Sequence, residues 1–267
     1  MTASKHSAIA SARRDDDTVP GHWLLARVGK RVLRPGGVEL SRRMLTHAQL
    51  AGADVVELAP GLGRTAAEIL ARRPRSYRGV DQDPEAVRAV QSVVGGSGTV
   101  RVAQASDTGL ATTSADVVIG EAMLTMQTDR AKSAIVAEAV RLLRPGGRYA
   151  IHELTLVPDT LPERVKTDIR QSLARSIKVN ARPLTPGEWK QLLVDHGLVL
   201  DYVETAPMAL LQPRRIVNDE GLVGALRFAG NLVTRPAARR RILAMRRTFR
   251  TYREHLAAVS IVAHKSL

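Results

Sequence analysis

A glycine-rich turn between a buried-type strand and a helix constrains this chain more than any other feature. Asp54-Val55-Val56-Glu57-Leu58 reads as a short strand, mostly apolar, as a strand covered on both faces is. Ala59-Pro60-Gly61-Leu62-Gly63 follows at once, and a helical stretch then runs from Thr65 to about Arg72. A second strand, Tyr77 to Val80, closes on Asp81, 18 residues past Gly63. Strand, glycine turn, helix and strand make a βαβ unit with a right-handed crossover, and ligands on such sheets bind beyond the strands' C-terminal ends. Glycines there let the backbone approach a ligand closely, and the helix N-terminus offers unpaired N–H groups. A carboxylate at Asp81 would accept both ribose hydroxyls of a nucleoside.

The alternation continues. Helix 84–94, strand 99–102, strand 115–119, helix 129–144 and strand 148–152 follow in order, with Pro145-Gly146-Gly147 stopping the last helix. Such alternation predicts an α/β protein built on a doubly wound sheet. Further on, residues 161–177 read as helix, and Thr185 is the expected N-cap of another that ends at His196-Gly197. Strand 199–203, a helical stretch 214–255 and strand 257–262 complete the pattern. Residues 1–18 read as a disordered tail and 19–50 as a cap of two helices split at Pro35-Gly36-Gly37. The catalytic domain is expected over 51–266, with helical insertions at about 156–182 and 212–255. The Arg-Pro-Gly-Gly at 34–37 repeats the one at 144–147 and is read as coincidence.

Composition narrows the chemistry. With no cysteine, disulfides, thiolate metal sites and thiol nucleophiles are excluded. The seven histidines show neither HxH nor HExxH spacing, so no metal site is expected. The N-terminus has no apolar core of a signal peptide and no stretch suits a membrane span, which predicts a cytoplasmic protein. Aromatics at 3% are too few for a base-stacking platform.

Val55–Gly63, Gly79-Val80-Asp81, Ala115–Glu121 and Arg141–Arg148 stand in an order and spacing that resemble the class I S-adenosylmethionine-dependent methyltransferases, of the kind acting on small molecules. The resemblance covers about residues 50–155 and more loosely reaches 266. It implies a Rossmann-like seven-stranded sheet with the last strand antiparallel, and S-adenosylmethionine as cofactor. It implies that the loop Ala59, Pro60, Gly61 and Gly63 holds the methionine part, that Glu57 meets its amino group, that Asp81 takes the ribose and that Gln82 lies along the adenine. The family often has an acid on the adenine amino group after strand three. Here Ser106 takes that place and Asp107 comes one residue later, so both are candidates. Ala59 replaces the loop's usual first glycine, a departure an unstrained backbone would accept.

An NAD-dependent enzyme is the competing reading, because Gly61-Leu-Gly63-Arg-Thr-Ala66 fits G-x-G-x-x-[GA]. Glu57 before the loop, the lack of a Tyr-x-x-x-Lys pair and the Arg-Pro-Gly-Gly block weigh against it. On the acceptor side the candidate bases are His152 and Glu121, with Glu153 in reserve; Glu121 is equally a cofactor contact. His152 and Glu153, adjacent on a strand, should face opposite ways. Met123, Leu124 and Met126, together with the N-terminal His22 and Trp23, are candidate walls for the acceptor.

The net charge is +14, and residues 214–254 hold 11 arginines against three acids. The plain reading is a core-docked helix with a solvated basic face. An acidic acceptor, an anionic membrane or RNA are the functional alternatives, and an RNA methyltransferase or a cofactor-binding protein without turnover stay open beside the small-molecule enzyme.

Overall fold

The structure, a computed structural model, describes Val19 and residues 21–30, 34–208, 210–211 and 213–267, without the side chains of His22 and 213–215. The expected tail at 1–18 lies outside the described residues.

Helices α1 (Gly21–Arg27) and α2 (Gly37–His47) precede the alternating core. The core runs β1 (Asp54–Leu58), α3 (Arg64–Leu70), β2 (Ser76–Asp81), α4 (Pro84–Val94), β3 (Thr99–Val102) and β4 (Ala115–Glu121). It continues with α5 (Asp129–Leu142), β5 (Leu143–Leu156), α6 (Glu163–Ile177), α7 (Pro186–Val194) and β6 (Leu198–Pro207). Helices α8 (Pro213–Thr234) and α9 (Pro236–Thr251) and strand β7 (Leu256–Lys265) complete it. The seven strands form one sheet in the order β3-β2-β1-β4-β5-β7-β6. β7 is antiparallel to both its neighbours, and pairing is parallel from β3 to β5. This is the doubly wound, Rossmann-like sheet that the sequence predicts.

Alternate side chains of each strand feed opposite layers. Val55, Tyr77, Val117 and Ile119 pack under α2, α3 and α4. Val56, Leu58, Val118 and Ile151 pack under α5 and α7. Both faces are covered, which is why β1 and β4 read as continuous apolar runs. Thr185 caps α7 through a capping box with Glu188. The expected helix over 214–255 is instead two: Gly221 breaks α8 at φ 72°, and α8 and α9 form a hairpin around Arg235.

The second correction is at Arg144-Pro145-Gly146-Gly147. The helix ends at Leu142, and the block forms an irregularity inside β5 opposite Asp116. Gly146 takes φ 74°, and a Cβ on Gly147 would lie 3.0 Å from the Asp116 carbonyl oxygen. Arg144 donates to Asp116 (2.7 Å) and pairs with Asp54 (3.0 Å), so the block ties the N-terminal edges of β1, β4 and β5 together. It stands at the opposite end of the sheet from the ligand side.

Candidate active site

Strand order reverses between β1 and β4, and parallel strands splayed at such a point leave a crevice beyond their C-terminal ends. A cavity of about 690 Å³ opens there. Glu57, Ala59, Pro60, Gly61, Asp81 and Gln82 line it, and Ser106 closes the same side. Trp23, Met126 and Val179 make an apolar part, and Arg34 and Glu121 line the wall as well.

Backbone donors hold the Asp81 carboxylate: Oδ1 accepts the Asp83 N–H (3.0 Å), Oδ2 the Gly61 N–H (3.2 Å), and the Gln82 N–H acts on it as well. The carboxylate is thus fixed and retains capacity for a further donor. Burial raises its pKa, against the backbone donors. Glu57 is buried and accepts the Tyr77 hydroxyl at 2.6 Å. Burial above all, with Glu121 nearby, pushes its carboxyl up to about 8 although Tyr77 opposes the shift.

Gly61 and Gly63 both adopt positive φ, 56° and 73°. Gly61 faces the cavity, and a Cβ there would meet no protein atom nearer than 3.9 Å. Gly63 does not line the cavity. A Cβ on it would come within 3.1 Å of Val93, so its role is close packing of the loop on α4. Ala59 holds φ 53°, so the replacement of the first glycine leaves an L-residue in the left-handed region, contrary to the expectation of an unstrained backbone. Asp107 is exposed and outside the cavity, and Ser106 alone of the two candidates lines it.

The two expected bases are both tied up. His152 is fully buried and absent from the cavity wall. Its Nε2 accepts the Gly36 N–H at 3.0 Å, which puts the proton of the neutral ring on Nδ1, 3.0 Å from both Glu121 and the Ser41 hydroxyl. Glu121 accepts from Ser41, from Thr65 (2.5 Å) and from Arg34, whose Nε lies 3.0 Å away. Burial pushes the Glu121 carboxyl up, but Arg34 first, then His152 and Ser41, outweigh it and hold it at about 2. A carboxylate so stabilised is a weak base. Glu153 faces away from His152, as strand geometry requires. It accepts N–H groups of Met123 (2.9 Å), Leu124 (2.7 Å) and Thr125 (3.1 Å), fixing the turn that follows β4. That turn aims Met123 and Met126 at the cavity and Leu124 into the core.

Sequence reasoning missed Arg34 and Tyr77. The signal for Arg34 was present in the dismissed Arg-Pro-Gly-Gly at 34–37. Arg34 holds Glu121, the Gly36 N–H holds His152, and Gly37 starts α2 at φ 73°. Tyr77 carried no signal beyond strand periodicity. Among the described residues no group of three or more His, Cys, Asp or Glu could hold a metal ion.

Residues 56–151 match a methyltransferase domain family. A Haemophilus influenzae protein described as uncharacterized is 30% identical over 251 residues, 92% of this chain and 98% of its own. The fold resembles a putative sarcosine dimethylglycine methyltransferase from Galdieria sulphuraria (TM-score 0.66, 16% identity, 85% of this chain and 84% of that one). It also resembles the [4+2]-cyclase SpnF (TM-score 0.71, 14% identity, 91% and 92%). A third likeness is Haemonchus contortus phosphoethanolamine N-methyltransferase 2, a complex with phosphomonomethylethanolamine and S-adenosylhomocysteine (TM-score 0.69, 15% identity, 92% and 57%).

Proposed function

We propose that the chain, whose residues 56–151 match a methyltransferase domain family, is a class I S-adenosylmethionine-dependent methyltransferase and transfers a methyl group from S-adenosylmethionine to a small-molecule acceptor by in-line displacement. The observation that carries this reading is the pair Glu57 and Asp81 at the ends of adjacent strands, on one cavity wall that continues into the apolar Trp23, Met126 and Val179. The donor set fits the cofactor. Asp81 has acceptor capacity left for the ribose. Glu57 is a desolvated carboxyl suited to an ammonium group, and Gly61 leaves room for close approach. Gln82 and Ser106 bound the adenine side, and Ala59, Pro60 and Gly61 the methionine side.

When bound, the cofactor supplies a methyl group on a sulfonium that is already a good leaving group, so alignment of the acceptor accounts for much of the rate. This chain's residues do the aligning. Arg34 and Glu121 fix the wall between α2 and β4, His152 and Ser41 hold Glu121 from behind, and Glu153 sets the Met123–Met126 turn. His152 and Glu121 are positioning residues in this reading. It needs no side-chain base, which suits an acceptor that presents a lone pair without losing a proton first. The phosphomonomethylethanolamine in the Haemonchus complex supports a small acceptor.

A second reading has one observation behind it: the same fold serves a [4+2]-cyclase, so the fold need not imply methyl transfer. Two measurements separate the readings. S-Adenosylhomocysteine at 100 times its dissociation constant should stabilise the protein by about 2.7 kcal/mol, and NAD should not shift melting at all. Methyl-labelled S-adenosylmethionine with an extract should then yield a labelled small product. A melting shift without labelled product favours the cofactor-binding reading. A shift with NAD alone overturns the assignment.

A further inference from the structure

Helix α8 beyond Gly221 is apolar on both sides. Phe228 and Ala225 pack inward on α1, in a cluster with Leu24, Leu25 and Val28. On the opposite side Leu222 is 72% exposed, Val223 73%, Leu226 73% and Val233 72%. These recur at steps of one, three and seven, so they form one stripe. A helix apolar all round is ordinarily buried, and an exposed apolar stripe marks an interaction surface. Helix α9 packs beside α8 on the same cluster through Ala238, Ile242 and Met245. Its outer face carries Arg239, Arg240, Arg246, Arg247 and Arg250, all exposed, with Leu243 among them at 52%. Both outer faces point away from the cluster that the two helices share, the apolar one on α8 and the arginine one on α9.

We propose that this helical hairpin docks on an anionic lipid surface, Leu222, Val223, Leu226 and Val233 entering the acyl boundary and the α9 arginines pairing with headgroups. Charge selects this occupant. A second copy would bring an arginine face and a net charge of +14 against its like, and an RNA backbone would leave the apolar stripe uncovered. Burial of apolar side chains together with attraction to anionic headgroups is the physics of interfacial helices. No described helix is long and apolar enough to cross a membrane, so the contact is peripheral. α1 lies beneath the hairpin, and its Trp23 lines the main cavity, which connects the docking face to the acceptor side. The inference is independent of methyl transfer.

The test sediments the full chain with phosphatidylcholine vesicles containing phosphatidylserine, and with phosphatidylcholine alone. Binding is expected to the anionic vesicles only, weakening but not vanishing as salt rises. Arg239→Gln with Arg246→Gln should weaken it about fivefold per arginine removed. Leu222→Ser with Leu226→Ser should weaken it about tenfold or more. All four side chains are exposed, so both variants should fold, and an unchanged melting shift with S-adenosylhomocysteine checks that they do. Equal binding to uncharged vesicles, or none to either, overturns the proposal. So does binding confined to a single-stranded RNA oligonucleotide and indifferent to the leucine changes, or a solution dimer that Leu226→Ser splits.

Discussion

Glu57 and Glu121 line one cavity in opposite charge states, and the difference is environmental. Glu121 has Arg34, Ser41, Thr65 and His152 around it; Glu57 accepts from the Tyr77 phenol, and burial outweighs the pull of Arg34 on it. With its pKa at about 8, Glu57 is neutral at pH 7. If an ammonium group binds against it, the carboxyl must ionise, so binding releases a proton. Affinity for S-adenosylhomocysteine should then rise by up to tenfold per pH unit below about pH 8 and level off above it. Calorimetry in buffers of different ionisation enthalpy would count the proton, and Glu57→Gln should abolish the release. The stability sign follows from the same shift. A carboxyl raised in the fold contributes stability fully present below its unfolded pKa of about 4.5, lost progressively as pH rises through about 8. Asp81→Ala should weaken the cofactor by about 2–4 kcal/mol, since charge-assisted bonds are the strong ones; unchanged affinity would place the ribose elsewhere. His152→Ala should cost about 1–3 kcal/mol of stability, because it leaves the buried Gly36 N–H unpaired. Turnover of the folded His152→Ala enzyme should keep the wild type's pH profile. A step that disappears with His152 would restore the histidine as base.

Two Arg-Pro-Gly-Gly segments show how an element's role depends on where the fold puts it. The segment at 144–147 knots three strands at the sheet's N-terminal edge, while the one at 34–37 leads into α2 and supports the cavity wall. A Cβ on Gly36 would lie 2.4 Å from Leu40 Cδ2 and 3.0 Å from His152 Nε2. Gly36→Ala should therefore destabilise by about 1–3 kcal/mol through overpacking. It should also raise the KM for the acceptor, because Arg34 moves with the segment. Equal unfolding midpoints by denaturant titration would refute the packing part. The order of strands and helices, the glycine turn and Asp81 were legible because hydrophobic period and turn chemistry are local. The fates of His152, Glu121 and Asp107 were not. They depend on which element packs over each side chain, and α2, which covers His152, is separated from it by more than 100 residues. Sequence placed His152 on a strand correctly and could say that Glu153 points the other way. It had no means of showing Gly36 and Ser41 already occupying the ring.

At the scale of the whole molecule the chain is a covered sheet plus a satellite. Two large clusters enclose β1, β4, β5 and β7, while the α8–α9 hairpin rests on α1 through a separate one and reaches α6 through Phe249 at the end of α9. Polar contacts reinforce the packing on α1: Asn231 Nδ2 donates to the Val28 carbonyl (3.1 Å), and a buried ion pair stands beside it. Lys30, fully buried, lies 3.5 Å from Asp219 and 3.7 Å from Glu220 at the break in α8. Asp219 also accepts the Val38 N–H at the start of α2. Burial lowers the Lys30 pKa and the two acids oppose it, so the cation depends on its partners to stay charged. Removing one member of a buried pair costs up to about 3–5 kcal/mol, and Asp219→Ala leaves Lys30 the more distant Glu220 at 3.7 Å. Asp219→Ala should charge that cost mainly to the hairpin, because the satellite cluster opens without disturbing the sheet. Hydrogen exchange should then speed up across 213–251 and α1 while amides in β1 and β4 keep their wild-type protection. Lys30→Met combined with Asp219→Leu and Glu220→Gln should recover part of the loss, since none of the three buried charges is then left in place. The test has a sharp alternative. If Asp219→Ala accelerates exchange equally in the hairpin and in β1 and β4, the hairpin is no satellite, and the chain unfolds as one cooperative body.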